Sequence, residues 1–132
     1  MAERLSTQRP AALAPLNICL QVNADAEASK AGVDYRQLPA LAAAVCGLER
    51  LRLRGLMAIP ARRSDPGQQR AVFEQVAEAL RQLQRQLPQA PLDTLSMGMS
   101  GDLEAAVAAG ATIVRVGTDI FGPRQSRATA GD

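Results

Sequence analysis

Two hydrophobic patterns alternate along this chain. Short apolar runs occupy Leu16–Asn23, Leu51–Ile59, Thr94–Met97 and Ala111–Val116, each of strand length. The first is nearly continuous in apolar character, as in strands buried on both faces. The second opens on a Leu/Arg alternation suited to a polar strand mouth and becomes apolar after Gly55. Between the runs the spacing turns helical. Asp34 is placed to cap a helix over about residues 35–46, which Gly47 stops. A longer helix is expected from about Gln68 to Leu87. Val72, Phe73, Val76, Ala79, Leu80, Leu83 and Leu87 recur there at helical spacing, and Pro88 ends it. Ser100 is placed to cap a third helix, with Asp102 and Glu104 in its first turn and Gly110 beyond its end. Met1–Gln8 reads as the tail of a helix, followed by a connector to Pro15. Gly117–Gly122 reads as a loop or short helical turn.

The order β-α-β-α-β-α-β predicts an α/β fold of parallel β/α units. An open doubly wound sheet and consecutive strands of a (β/α)8 barrel both satisfy that order. A dinucleotide-binding sheet carries a glycine-rich turn after its first strand, and Val22–Ser29 has no glycine. A barrel often holds phosphate in the loops after its last two strands. Here those loops, Leu95–Asp102 and Arg115–Thr118, combine glycine and hydroxyl residues. The barrel is favoured. Eight units need about 200–250 residues, whereas 132 residues supply four. The chain therefore reads as the C-terminal half of a TIM-type (β/α)8 barrel. Residues 1–15 are expected to be a helix tail and connector from an N-terminal half, 16–124 the partial barrel, and 125–132 a disordered tail.

Composition narrows the function classes. Aromatics are only Tyr35, Phe73 and Phe121, too few for base-stacking platforms. Net charge is +2, from 15 basic and 13 acidic residues spread along the chain. That balance argues against nucleic acid and anionic membrane as partners. No apolar run approaches the ~20 residues of a membrane span, and the N-terminus lacks a signal-peptide core, so a cytoplasmic protein is expected. The chain has no histidine, which removes Ser–His and Cys–His nucleophilic schemes. Cys19 and Cys46 fit no zinc spacing and are expected as small buried apolar residues. No metal site is expected.

The chemistry that remains is anion capture. Ser96-Met97-Gly98-Met99-Ser100 and Arg115-Val116-Gly117-Thr118 each follow a strand. Glycine lets a backbone approach a ligand closely, hydroxyls donate, and amides at a helix start face an anion. Lys30, the only lysine, sits in a polar loop without the apolar setting that lowers a lysine pKa; an ion-paired or solvated lysine is expected. Met57, Met97 and Met99 suit either core filling or the lining of a cofactor site, and Gln21 and Asn23 either the barrel mouth or backbone satisfaction.

Several segments together resemble the pyridoxal phosphate homeostasis proteins, relatives of the N-terminal barrel domain of alanine racemase. They are Leu16–Asn23, Ala28-Ser29-Lys30-Ala31-Gly32, Leu53–Pro60, Leu95–Ser100 and Val114–Gly122. The resemblance covers about residues 4–124. It implies a single-domain barrel that carries pyridoxal 5'-phosphate and has no firmly assigned reaction. In that family a lysine after the first strand holds the cofactor as a Schiff base, and the last two loops hold its phosphate. Carried onto this chain, Met99 and Ser100 match the seventh loop, Gly117 and Thr118 the phosphate grip of the eighth, and Arg115 the arginine beside the pyridine nitrogen. Lys30 matches a Ser-Lys-x-Gly loop after a middle strand, and no residue matches the Schiff-base position. The expectation is a cofactor-binding protein of vitamin B6 homeostasis, not a turnover enzyme, with no assigned catalytic residues. The alternative is a non-binding half-barrel that folds only with a complementary half or by self-association. A barrel enzyme acting on another phosphorylated small molecule is a third reading.

Overall fold

The computed structural model describes residues 1–27 and 30–125. The expected tail lies outside them except for Gln125, as do Ala28 and Ser29. Nine elements follow in order: α1 (Ala2–Gln8), β1 (Leu16–Val22), α2 (Leu38–Cys46), β2 (Leu51–Ala58), α3 (Pro66–Gln86), β3 (Thr94–Met99), α4 (Leu103–Ala108), β4 (Ile113–Arg115) and α5 (Thr118–Phe121). The strands form one sheet in the order β1-β2-β3-β4, and every neighbouring pair is parallel. A doubly wound sheet reverses strand order at a switch point; a barrel wall does not. The strictly sequential order is that of half a barrel.

The strands are not buried on both faces. The parallel register pairs Leu16 with Leu51, Ile18 with Leu53, Leu20 with Leu56 and Val22 with Ala58. These side chains join the core under the helices. The alternate set, Asn17 with Arg52, Cys19 with Gly55 and Gln21 with Met57, lies on the other face. Thr94 and Ser96 continue that set across β3. The inner face of the half-barrel is therefore polar. The apolar run in β1 concealed a period of two, because Cys19 and Ile18 look alike in a hydrophobic count. The Leu/Arg alternation of β2 likewise marks two faces and not a mouth.

Register slips by one residue between Ile18 and Cys19, where Arg54 is passed over. The extra residue bends β2 at Gly55, as β-bulges do. Arg54 is used there: its carbonyl accepts the Asp93 N–H at 2.9 Å, and its guanidinium pairs with the Asp93 carboxylate. Gly55 passes so close to β3 that a Cβ would stand 1.7 Å from the Thr94 carbonyl oxygen.

Helix α3 follows its sequence pattern. Asp65 accepts the Gln68 N–H at 2.8 Å as N-cap, and Pro66 opens the first turn. Phe73, Val76, Leu80 and Leu83 are buried against the sheet. Two helix starts differ from expectation. Helix α2 begins at Leu38, not residue 35. Asp34 does accept the Gln37 N–H at 2.9 Å, but residues 35–37 form a turn and Pro39 fixes the first helical turn after it. Helix α4 begins at Leu103 with Asp102, not Ser100, at the N-cap. The Asp102 carboxylate reaches back to the Met99 N–H at 2.8 Å. A Met99–Asp102 backbone bond of 3.1 Å closes the same turn, so the helix starts one turn later.

Cys46 is another correction. It ends α2 and is exposed, while Cys19 is half-buried; both are free. The buried face of α2 is Leu38, Ala42 and Val45, and Cys46, one position on, points away from it. Exposed apolar side chains gather at β4 and α5: Ile113, which shares the inner face with its partner Ser96, and Val114, Ile120 and Phe121, the last 84% exposed. No helix among the described residues is long and apolar enough to cross a membrane.

Candidate functional site

The C-terminal ends of the strands open onto a cleft of about 950 Å³. Met99, Ser100, Gly117 and Thr118 line it together. The two loops touch: the Asp119 N–H donates to the Ser100 hydroxyl at 3.4 Å. Ser100 therefore bridges the loops, the role left open once Asp102 takes the α4 cap. Gly117 is the N-cap of α5; its carbonyl accepts the Ile120 and Phe121 N–H groups at 3.0 and 2.8 Å. Nothing lies within 4 Å of a Cβ built on Gly117 or Gly101, so both backbones face open space. Gly98 differs. It sits inside β3 at φ +102°, and a Cβ there would meet the Ala106 Cβ at 2.6 Å. It lets α4 press onto the sheet and is a packing residue. Met97 is fully buried in that core, and Met99 is exposed at the cleft.

Arg115 stands apart from the cleft lining, on the inner face of β4. One Nη donates to the Ala58 carbonyl at 2.8 Å and weakly to Ser96 O at 3.4 Å. The other lies 3.7 Å from the Met57 sulfur. These contacts span β2, β3 and β4 and fix the guanidinium across the strand ends. Its Nε is buried and has no partner. Arg115 makes no ion pair among the described residues.

A charged cluster that sequence reading missed lies beside the cleft. The Asp25 carboxylate is only 3% exposed. It accepts Lys30 Nζ at 2.8 Å, Arg63 Nη2 at 2.6 Å and the Ala61 N–H at 2.7 Å. Burial pushes its pKa up, but these hydrogen bonds outweigh it and hold the carboxyl at about 2. The bond to Asp25 raises the Lys30 pKa in turn, so Lys30 is a held ammonium and a poor nucleophile. Burial, then the Asp25 charge, pushes Tyr35 up to about 12. The Asn23 side chain donates to Glu27 O at 2.6 Å, which shapes the same loop. Nothing local in the sequence marks Asp25, because Arg63 lies 38 residues away.

Asp25 sets a pH dependence. Its folded pKa lies below its ordinary 3.8, so its stabilisation is complete above that value and is lost as pH falls through about 2. Urea unfolding followed by the single tyrosine should show wild type well above Asp25→Asn at pH 6, with the gap closing towards pH 2. A gap that stays constant would mean that the charge on Asp25 is not what holds the loop.

Comparison with known proteins bears on this arrangement. The sequence model of the family described as alanine racemase, N-terminal domain, matches residues 1–125. The chain belongs to that family. Within it, the chain is similar to the pyridoxal phosphate homeostasis proteins of Pseudomonas aeruginosa, at 55% identity over 98% of this chain, and of Escherichia coli K12, at 54% over 94%. It covers 54% and 52% of those two proteins, so it spans about half the length of the curated relatives it matches. PipY of Synechococcus elongatus, solved without pyridoxal phosphate, superposes with a TM-score of 0.82 at 40% identity, covering 92% of this chain and 56% of PipY. The PipY structure with pyridoxal phosphate bound gives 0.76 at 36%, covering 91% and 54%.

Proposed function

We propose that this chain holds pyridoxal 5'-phosphate by its phosphate, with Ser100, Gly117 and Thr118 as the grip and Met99 beside it in the cleft lining. The observation that carries this reading is the joining of the two loops at Ser100 and Asp119 around one cleft. The open backbone at Gly117 leaves space for a phosphate, and the resemblance to the homeostasis proteins gives Arg115 the place beside the pyridine nitrogen. The homeostasis relatives and the pyridoxal phosphate bound to PipY support the choice of cofactor.

When bound, this cofactor supplies an electrophilic aldehyde on an electron-withdrawing ring. The residues here favour holding over turnover. Arg115 stays charged and can only donate, so it leaves the ring nitrogen unprotonated and the ring a weak electron sink. Lys30 is tied to Asp25 and protonated. The chain's part in vitamin B6 homeostasis is reversible retention of the cofactor.

Calorimetric titration tests this. Pyridoxal 5'-phosphate should bind and pyridoxal, which lacks the phosphate, should bind at least about tenfold more weakly. Borohydride reduction of the stoichiometric mixture should leave the mass of the chain unchanged. Equal binding of the two would overturn the grip, and a pyridoxyl mass gain on Lys30 would overturn the non-covalent reading.

The exposed Ile113, Val114, Ile120 and Phe121 favour a second reading, in which another chain covers β4 and α5. Parallel edges at β1 and β4 are open to such pairing.

A further inference from the structure

One wall of the cleft is the loop between β2 and α3, which contributes Ile59, Pro60, Arg62 and Arg63, with Gln69 from α3. Connecting loops run over the surface and are mobile unless something ties them down. This one is tied along its length. At its start, an Arg115 Nη donates to the Ala58 carbonyl at 2.8 Å. In its middle, the Ala61 N–H donates to Asp25 Oδ2 at 2.7 Å. Next, Arg63 donates to Asp25 Oδ1 at 2.6 Å and to the Ala61 carbonyl at 3.0 Å. Towards α3, Gln69 Nε2 donates to the Arg63 carbonyl at 2.6 Å. Both oxygens of the Asp25 carboxylate are therefore spent on this wall.

Asp25 is itself fixed from elsewhere. It sits in the loop that follows β1, and the ends of that loop meet. The Val33 N–H donates to the Gln21 carbonyl and the Asn23 N–H to the Val33 carbonyl, each at 2.9 Å. Loops closed in this way are compact. Gly32 permits the closure: at φ +109°, a Cβ there would stand 2.7 Å from the Asn23 nitrogen. Lys30 Nζ, in the same loop, donates to Asp25 Oδ2 at 2.8 Å. Asp25 does not line the cleft. It joins a closed loop on β1 to the cleft wall on β2 through charge-assisted bonds, which are short and geometrically specific.

We propose that Asp25 is a positioning residue for the bound cofactor: it touches no ligand and fixes the 59–63 wall that orients the pyridoxal ring. This inference rests on the phosphate grip described above. The grip holds one end of the ligand and leaves the ring free to turn about the bonds to the phosphate. The orientation of the ring then depends on the walls, and a wall orients only as far as it is held in advance. Arg115, given the place beside the pyridine nitrogen, is anchored to the same segment at Ala58, and Ile59 and Pro60 follow directly along the chain.

The test reads orientation and affinity separately. Pyridoxal 5'-phosphate has no stereocentre, so its own absorption band carries circular dichroism only when a protein holds it in one orientation. Wild type titrated to saturation should show that dichroic band. Asp25→Asn, less stable but folded, should bind within about threefold of wild type, because the grip is intact, and should lose most of the band at saturation. Without the cofactor, trypsin should cut this variant after Arg62 and Arg63 faster than wild type, well below either melting temperature. Gln69→Ala removes only the tie to the Arg63 carbonyl and should lose part of the band; it carries the test if Asp25→Asn does not fold. An unchanged band in either saturated variant makes the role structural alone and overturns the inference. Equal tryptic cutting shows that Asp25 does not hold the wall and also overturns it. Binding to wild type without a dichroic band overturns it and leaves the grip standing. Absence of binding by wild type overturns the grip and this inference with it.

Discussion

Gly55→Ala should cost at least about 3 kcal/mol of folding stability, the upper range for forced overpacking. The added methyl would stand 1.7 Å from the Thr94 carbonyl oxygen, which is backbone and cannot swing aside. Relief requires β3 to move away from β2. That movement strains the Asp93 N–H bond to Arg54 O and the Arg54–Asp93 pair at the same crossing. It also separates Leu56 from Leu95, two core residues under α3. Circular dichroism melting should fall by roughly 10 °C or more for a chain of this size. Gly101→Ala is the control, because nothing lies within 4 Å of its added Cβ. A loss below about 1 kcal/mol for Gly55→Ala would show that the two strands are not packed this closely.

Gly117→Glu should remove phosphate binding and leave the fold intact. Its backbone, at φ −116°, accepts any residue, and its Cβ direction is open. The new carboxylate would stand where the proposed grip would receive a dianion. Two like-charge repulsions at about 1 kcal/mol each in high dielectric amount to at least about 30-fold in affinity. Pyridoxal 5'-phosphate titration, read beside an unchanged melting curve, checks both halves of the expectation. Unchanged affinity would move the phosphate away from this loop. Taken with the Gly55 substitution, the result separates a glycine that the sheet needs from one that the ligand needs.

The alternation of short apolar runs with helical spacing determined, from sequence alone, the β/α order, the long α3 with its Phe73–Leu83 stripe, and the half-barrel class. These are local properties: periods of two and 3.6 are written in neighbouring residues. The two glycine-and-hydroxyl loops were legible for the same reason, each being a contiguous stretch after a strand. Only the tertiary structure decided what joins them. Ser100 bridges to Asp119 because Asp102 turns back to Met99, an exchange of partners that capping preferences do not resolve. The polar inner face appeared only when register paired Asn17 with Arg52 and Gln21 with Met57. The Asp25 cluster joins β1's loop to the loop after β2 across 38 residues, and Arg115 is held by carbonyls from two other strands. Such contacts depend on which strands become neighbours and on where a bulge shifts their register, and no local window of the sequence carries that information.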